Sequence, residues 1–142
     1  MNLIRVMPAK GQDTMPNSVF LARLMGPMGI AIGLGMLFNR SAYRRVAEEF
    51  LDSQALIYFS GLIAGTGGLA VILTHNVWSA DWRVVITLLG WIAFVTALAR
   101  IVVPTIAEPI GRAIFESRGI YMLAGVITLA LGLWLGFEGY VA

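Results

Sequence analysis

The sequence contains no cysteine and a single histidine, His75. The first absence excludes disulfides, thiolate metal centres and thiol nucleophiles. The second leaves a zinc triad or a bis-histidine haem short of ligands on one chain. Charge is scarce as well, since Asp, Glu, Lys and Arg make up 13% of the 142 residues, about half the share usual in soluble domains. The formal net charge is +2, and the basic residues are split among short segments and never form a stripe with interleaved aromatics. That pattern excludes a nucleic-acid footprint. None of the acidic residues falls deep inside an apolar run, so the mid-bilayer ionisable group of ion-coupled carriers is missing. With no carboxylate pair on one face of a run and one histidine, catalysis has no visible constellation. The chain is therefore expected not to be an enzyme and to carry no cofactor or metal. His75, beside Asn76 at the end of an apolar run, is expected to hydrogen-bond the turn; its other reading is axial ligation of a cofactor shared with a partner.

What is present is apolar surface, 58% of all residues, too much for a water-soluble globule of this length. Crossing a hydrocarbon core of ~30 Å takes ~20 helical residues. Four runs are long enough: Ser18–Asn39, Leu56–His75, Val84–Val103 and Ile120–Phe137. They lack the strict alternation of barrel strands, so helices are expected. Residues 1–17 read as a polar tail without the apolar core of a cleaved leader, and 18–142 as one membrane domain.

A second signal is self-similarity at an offset of 64: Leu24–Thr74 slides onto Leu88–Glu138 without a gap, matching 8 of 51 positions. Spans, charged connectors and glycines stay in register, the mark of a repeat. The expected architecture is all-α, a membrane-spanning four-helix bundle built from two parallel helix–connector–helix repeats, about 18–75 and 84–138.

Within the connectors Ser41–Asp52 and Thr105–Glu116, apolar residues recur at helical spacing opposite charged ones, as in helices lying in the headgroup plane. Ser53 and Ser117 are placed to cap the spans that follow. Under the offset Arg44 aligns with Glu108 and Glu48 with Arg112, so Arg44–Glu108 and Glu48–Arg112 are candidate pairs between the halves. Arg45 with Glu49 is a candidate pair within one helix.

Spans in lipid associate where small residues let backbones approach. Gly29 with Gly33, Gly61 with Gly65, Ala93 with Ala97 and Gly132 with Gly136 supply such seams. Pro27 is expected to loosen or kink the first span, and Ser60, Thr66, Thr96 and Thr128 are the residues available to line a passive pore. The run Gly65-Thr66-Gly67-Gly68-Leu69-Ala70 matches a dinucleotide-binding spacing, but it sits inside a span and in no βαβ unit, so that reading fails.

An even number of spans puts both termini on one side with the Asn76–Arg83 turn. That side carries Arg5, Lys10, Arg23 and Arg83, and the other carries Arg40, Arg44, Arg45, Arg100, Arg112 and Arg118. Basic residues near span ends favour the cytoplasm, so both termini are expected on the outer, periplasmic side. Trp78 and Trp82 then fall in the interfacial belt.

The residues His75-Asn76-Val77-Trp78, Asp81-Trp82-Arg83-Val84 and Ile86-Thr87-Leu88-Leu89-Gly90-Trp91 form a signature. It resembles that of a family of small bacterial four-span inner-membrane proteins with no assigned reaction or binding residues. The likeness runs from Ala55 to Pro104, with a departure at Ala97–Arg100, where the family pattern has a lysine-glycine step. It implies the topology and an inner-membrane location and leaves activity open. The expected partners are the lipid bilayer and other membrane subunits or further copies of the chain. A non-catalytic accessory, structural or assembly subunit is the first reading; the alternative is a passive channel or small-solute transporter.

Overall fold

The computed structural model describes residues 14–141. Six α-helices follow in order: α1 (Thr14–Phe38), α2 (Arg40–Asp52), α3 (Gln54–Thr74), α4 (Arg83–Val102), α5 (Ala107–Glu116) and α6 (Arg118–Tyr140), with a 3-10 turn at Pro104–Ile106 before α5. No strand occurs among the described residues. Within α1, α3, α4 and α6, four segments are long and apolar enough to cross a membrane: Asn17–Phe38, Gln54–Thr74, Arg83–Val102 and Arg118–Tyr140. They expose large apolar side chains such as Phe20, Ile63, Leu73, Val102 and Leu123. In water that surface would be costly at ~25 cal/mol per Å²; in lipid it is at home. The polar tail lies outside the described residues up to position 13, and α1 begins at Thr14.

The long helices pack as two intimate pairs, α1 with α6 and α3 with α4, while α2 packs on α5. The α2–α5 layer forms one end of the molecule, here the connector end. At the opposite, terminal end lie the start of α1, the 75–82 segment and the end of α6.

Glycine makes the pairing possible. A Cβ on Gly26 would fall 2.6 Å from Gly136 Cα, one on Gly29 2.9 Å from Gly132 Cα, and one on Gly33 2.6 Å from Leu129 N. These are backbone contacts that no side chain can yield to. In the other pair a Cβ on Gly68 would fall 2.7 Å from Phe94 N, and one on Gly65 3.3 Å from Ala97 Cβ. Gly61 lies against Ala97 O and Ile101, whereas Ala93 lines a groove instead of a seam.

Pro27 lies inside α1, which continues as one helix on both sides of it. A proline at 27 removes the bond to the carbonyl four residues earlier, on Arg23. The Tyr140 hydroxyl donates to that carbonyl at 3.0 Å, so α6 makes good the missing bond. The Arg23 guanidinium extends to the end of α6 and donates from Nε to Gly139 O at 2.6 Å, where a helix C-terminus favours a cation.

At the connector end the serine caps form as expected: Leu56 N–H donates to Ser53 Oγ at 3.3 Å and Ile120 N–H to Ser117 Oγ at 3.5 Å. The Tyr121 hydroxyl donates to Met36 O at 2.8 Å, satisfying a carbonyl in the last turn of α1.

Candidate functional site

The buried polar side chains among the described residues, Ser18, His75 and Thr87, meet around His75, where α3 stops. His75 leaves the helical region (φ −144°, ψ 74°) while its N–H still closes onto Val71 O. The chain then doubles back over the first turns of α4, which brings Thr87 to the imidazole; α1 delivers Ser18 to the other side. Ser18 Oγ lies 2.7 Å from His75 Nε2, and His75 Nδ1 lies 3.2 Å from Thr87 Oγ1. All three residues are 0% exposed.

One arrangement of protons satisfies every group around the ring. Thr87 Oγ1 accepts from Val77 N–H at 3.1 Å and has one proton to give, to Val77 O at 3.0 Å or His75 O at 3.2 Å. Its remaining lone pair then accepts from Nδ1–H, and Nε2 accepts from the Ser18 hydroxyl. Burial holds the imidazole below its ordinary pKa and outweighs the backbone hydrogen bond that favours the cation. The ring is neutral and fully used. Ligation of a shared cofactor would require breaking one of these bonds.

A hydroxyl on one ring nitrogen and an orienting group on the other is the geometry of an activated serine. Here the orienting group is a threonine, not a carboxylate, and Ser18 has no exposed surface from which to attack. What the cluster does is mechanical: it ties α1 to the end of α3 and the start of α4, joining the two pairs. Asn17 Nδ2 adds a 3.4 Å bond to Thr74 O.

Outside this clasp, Asp81 accepts from Arg83 N–H at 3.0 Å, Arg83 Nε at 2.9 Å and Ser79 Oγ at 2.7 Å. Arg83 first and Ser79 second hold its carboxyl well below the usual carboxylate range. Trp78 is exposed and donates to Asn76 Oδ1 at 2.8 Å. Trp82, at the start of α4, turns its ring onto the buried cluster of Ala22, Ile86 and Leu135.

The connector charges need a correction. Arg44 pairs with Glu48 at 3.0 Å and Arg112 with Glu108 at 3.2 Å, each one turn along its own helix. The ion pair between α2 and α5 joins Arg112 to Asp52, in place of Arg44–Glu108 and Glu48–Arg112. Both carboxylates raise the Arg112 pKa, Glu108 more than Asp52. A strictly equivalent second pair is ruled out by charge, because the residues at the 64-residue offset from Arg112 and Asp52 are Glu48 and Glu116.

The pore candidates turn inward on their own helices: Ser60, Thr66, Thr96 and Thr128 donate to the carbonyls of Ile57, Leu62, Ile92 and Ala124 at 2.7 to 2.8 Å. Among them, Ser60 and Thr96 also contact a guanidinium, that of Arg100, at 3.0 Å and 3.4 Å. Compared with protein-family models, curated proteins and solved structures, the chain matches none.

Proposed function

We propose that the chain is a non-catalytic membrane subunit that docks against further spans, in a larger complex or with copies of itself. One observation carries this reading. Between α1 and the α3–α4 pair runs a groove of about 620 Å³, floored by Ala64, Gly67 and Ala70 and walled by Phe20 and Leu24. At Gly67 an added Cβ would meet nothing within 4 Å, in contrast to the seam glycines. Small residues on an open helix face are where another helix approaches closely in lipid. Purification in gentle detergent followed by native mass spectrometry tests it. The chain is expected to run with larger subunits or as a defined oligomer, and Gly67→Leu to reduce that association about fivefold or more, a scale of ~1 kcal/mol. A monomer free of other subunits, unchanged by Gly67→Leu, counts against it.

A second reading, a passive channel or carrier made of two parallel repeats, is supported by contacts that exchange under the 64-residue offset. Gly132 lies against Gly26 O, and Gly68 against Gly90 O; Gly125 lies against Leu37, and Gly61 against Ile101. In each case the second contact is the first with both residues moved by 64 in opposite senses. Repeats of this kind place solutes at their interface. Solute flux into liposomes by the isolated oligomer would favour that reading over docking.

We assign the connector end to the cytoplasm of an inner membrane on the basic-residue balance. The assignment is supported by Arg23 extending toward the terminal end and Arg100 lying in the last turn of α4.

A further inference from the structure

The connector end has a groove of its own, about 590 Å³, enclosed by α2, α4 and α5. Its walls are apolar, with Val46, Phe50, Ile110 and Ile114 among them, and none of the lining residues is acidic. Arg100, Thr96 and Tyr43 are the polar residues of its lining. The volume falls in the range of small-molecule sites, about 300–1,000 Å³, where a few polar groups orient an otherwise apolar ligand.

Arg100 is the unusual element. Its guanidinium donates from Nε to Thr96 O at 3.3 Å, from Nη1 to Ser60 Oγ at 3.0 Å and from Nη2 to Thr96 Oγ1 at 3.4 Å. A guanidinium has five N–H donors, so one on each Nη is left without a protein acceptor among the described residues. Among those residues Arg100 also has no carboxylate partner, unlike Arg44, Arg83 and Arg112. A held cation with two spare donors in the lining of an apolar groove suits a planar or tetrahedral oxyanion attached to a hydrocarbon chain.

The other half of the molecule shows that the space is not generic. Residues 64 positions earlier than Ala99, Arg100 and Ala107 are Gly35, Met36 and Tyr43. There the Tyr43 ring packs onto Gly35, within 2.6 Å of where a Cβ would stand. The tyrosine plugs the first half; alanine at 107 leaves the second half open, beside a cation.

We propose that this groove holds one anionic phospholipid, its phosphate on Arg100 and an acyl chain between α2, α4 and α5. The groove near Gly67 differs in having no charged residue in its lining, which is why a lipid phosphate is assigned to one and a helix to the other. The proposal is independent of the docking reading.

The test is native mass spectrometry of the full chain released from detergent, with phosphatidylglycerol and phosphatidylcholine of matched acyl chains. One phosphatidylglycerol per chain is expected, retained about tenfold better than phosphatidylcholine, which carries the same phosphate but a choline cation that cancels its charge and is repelled by Arg100. Arg100→Gln should bring the two lipids level. Ala107→Phe, which keeps the cation and fills the space, should lower retention of phosphatidylglycerol. Inorganic phosphate should not displace it. Equal retention of both lipids by the unaltered chain would overturn the proposal whatever the variants do, as would an undiminished preference in a folded Arg100→Gln protein. Displacement by inorganic phosphate would reassign the groove to a free anion and overturn the lipid.

Discussion

In the α1–α6 pair, the carbonyl at the end of α6 accepts from a guanidinium: Arg23 Nε to Gly139 O. In the α3–α4 pair, the carbonyl just past α3 accepts from a buried hydroxyl: Thr87 Oγ1 to His75 O. Positions 23 and 87, and 75 and 139, are each 64 apart, so the two bonds occupy the same place in the two pairs. Gly139 has no side chain and lets Arg23 lie across it; His75 fills that space itself and recruits Ser18. At the connector end the chemistry is reversed, with Met36 in the first half and Arg100 in the second. The seams, where backbone touches backbone, hold both pairs to one geometry. The helix ends, where a side chain of one helix reaches a carbonyl of the other, carry different groups.

Adding a methyl group to a seam is the most severe way to break this comparison. Gly132→Ala and Gly68→Ala should each destabilise the protein by ~2–3 kcal/mol, because the neighbour in the way is backbone, as thermal unfolding in detergent would show. Gly67→Ala, on an open face, should be neutral or stabilising by up to ~1 kcal/mol. A large cost at one seam and none at the other would mean that the pairs are not equivalent.

The second probe is pH. His75 has a folded-state pKa below its ordinary value of 6.5, so above about pH 6.5 the ring is neutral folded or unfolded. As pH falls below that point the unfolded chain takes up a proton that the clasp refuses, and stability should decline until the folded pKa is passed. His75→Gln should flatten the slope. A slope unchanged by that substitution would place the titration elsewhere.

Third, Tyr140→Phe should cost ~1 kcal/mol, the range of hydrogen bonds in lipid, and close to nothing in a Pro27→Ala background, where the helix supplies the missing bond. Additive effects would separate Tyr140 from the proline. The smallest effect belongs to the connectors. Asp52→Asn should lower the unfolding temperature slightly and only at low salt, because the pair with Arg112 is exposed. Reversing Arg44 and Glu108 together should show no recovery over the single changes.

Span positions, connector helices and serine caps were legible because each rests on local pattern: run length, helical spacing, and serine before a span. The clasp was not. Ser18 is 57 residues from His75, and a hydroxyl in an apolar run carries no mark of its distant partner. The packing of Trp82 on Ala22, Ile86 and Leu135 was not legible for a related reason, since composition locates a ring near a span end without saying which way it turns. The charge pairs slipped by one turn because the offset aligns residues between halves but does not fix how two helices cross. Pro27 was visible at once; its rescue by Tyr140 depends on a helix more than a hundred positions later.

That separation has a consequence for biosynthesis. The α3–α4 pair is a hairpin whose strands of helix emerge in succession, so it can close as soon as both are inserted. Among the described helices α1 precedes all the others, yet its mate α6 follows them all: Arg23 and Gly139 stand 116 residues apart. At ~5–20 residues per second of synthesis, the glycine face of α1 waits several seconds or more in the lipid before α6 arrives, a window in which a chaperone or a neighbouring chain has first access to it.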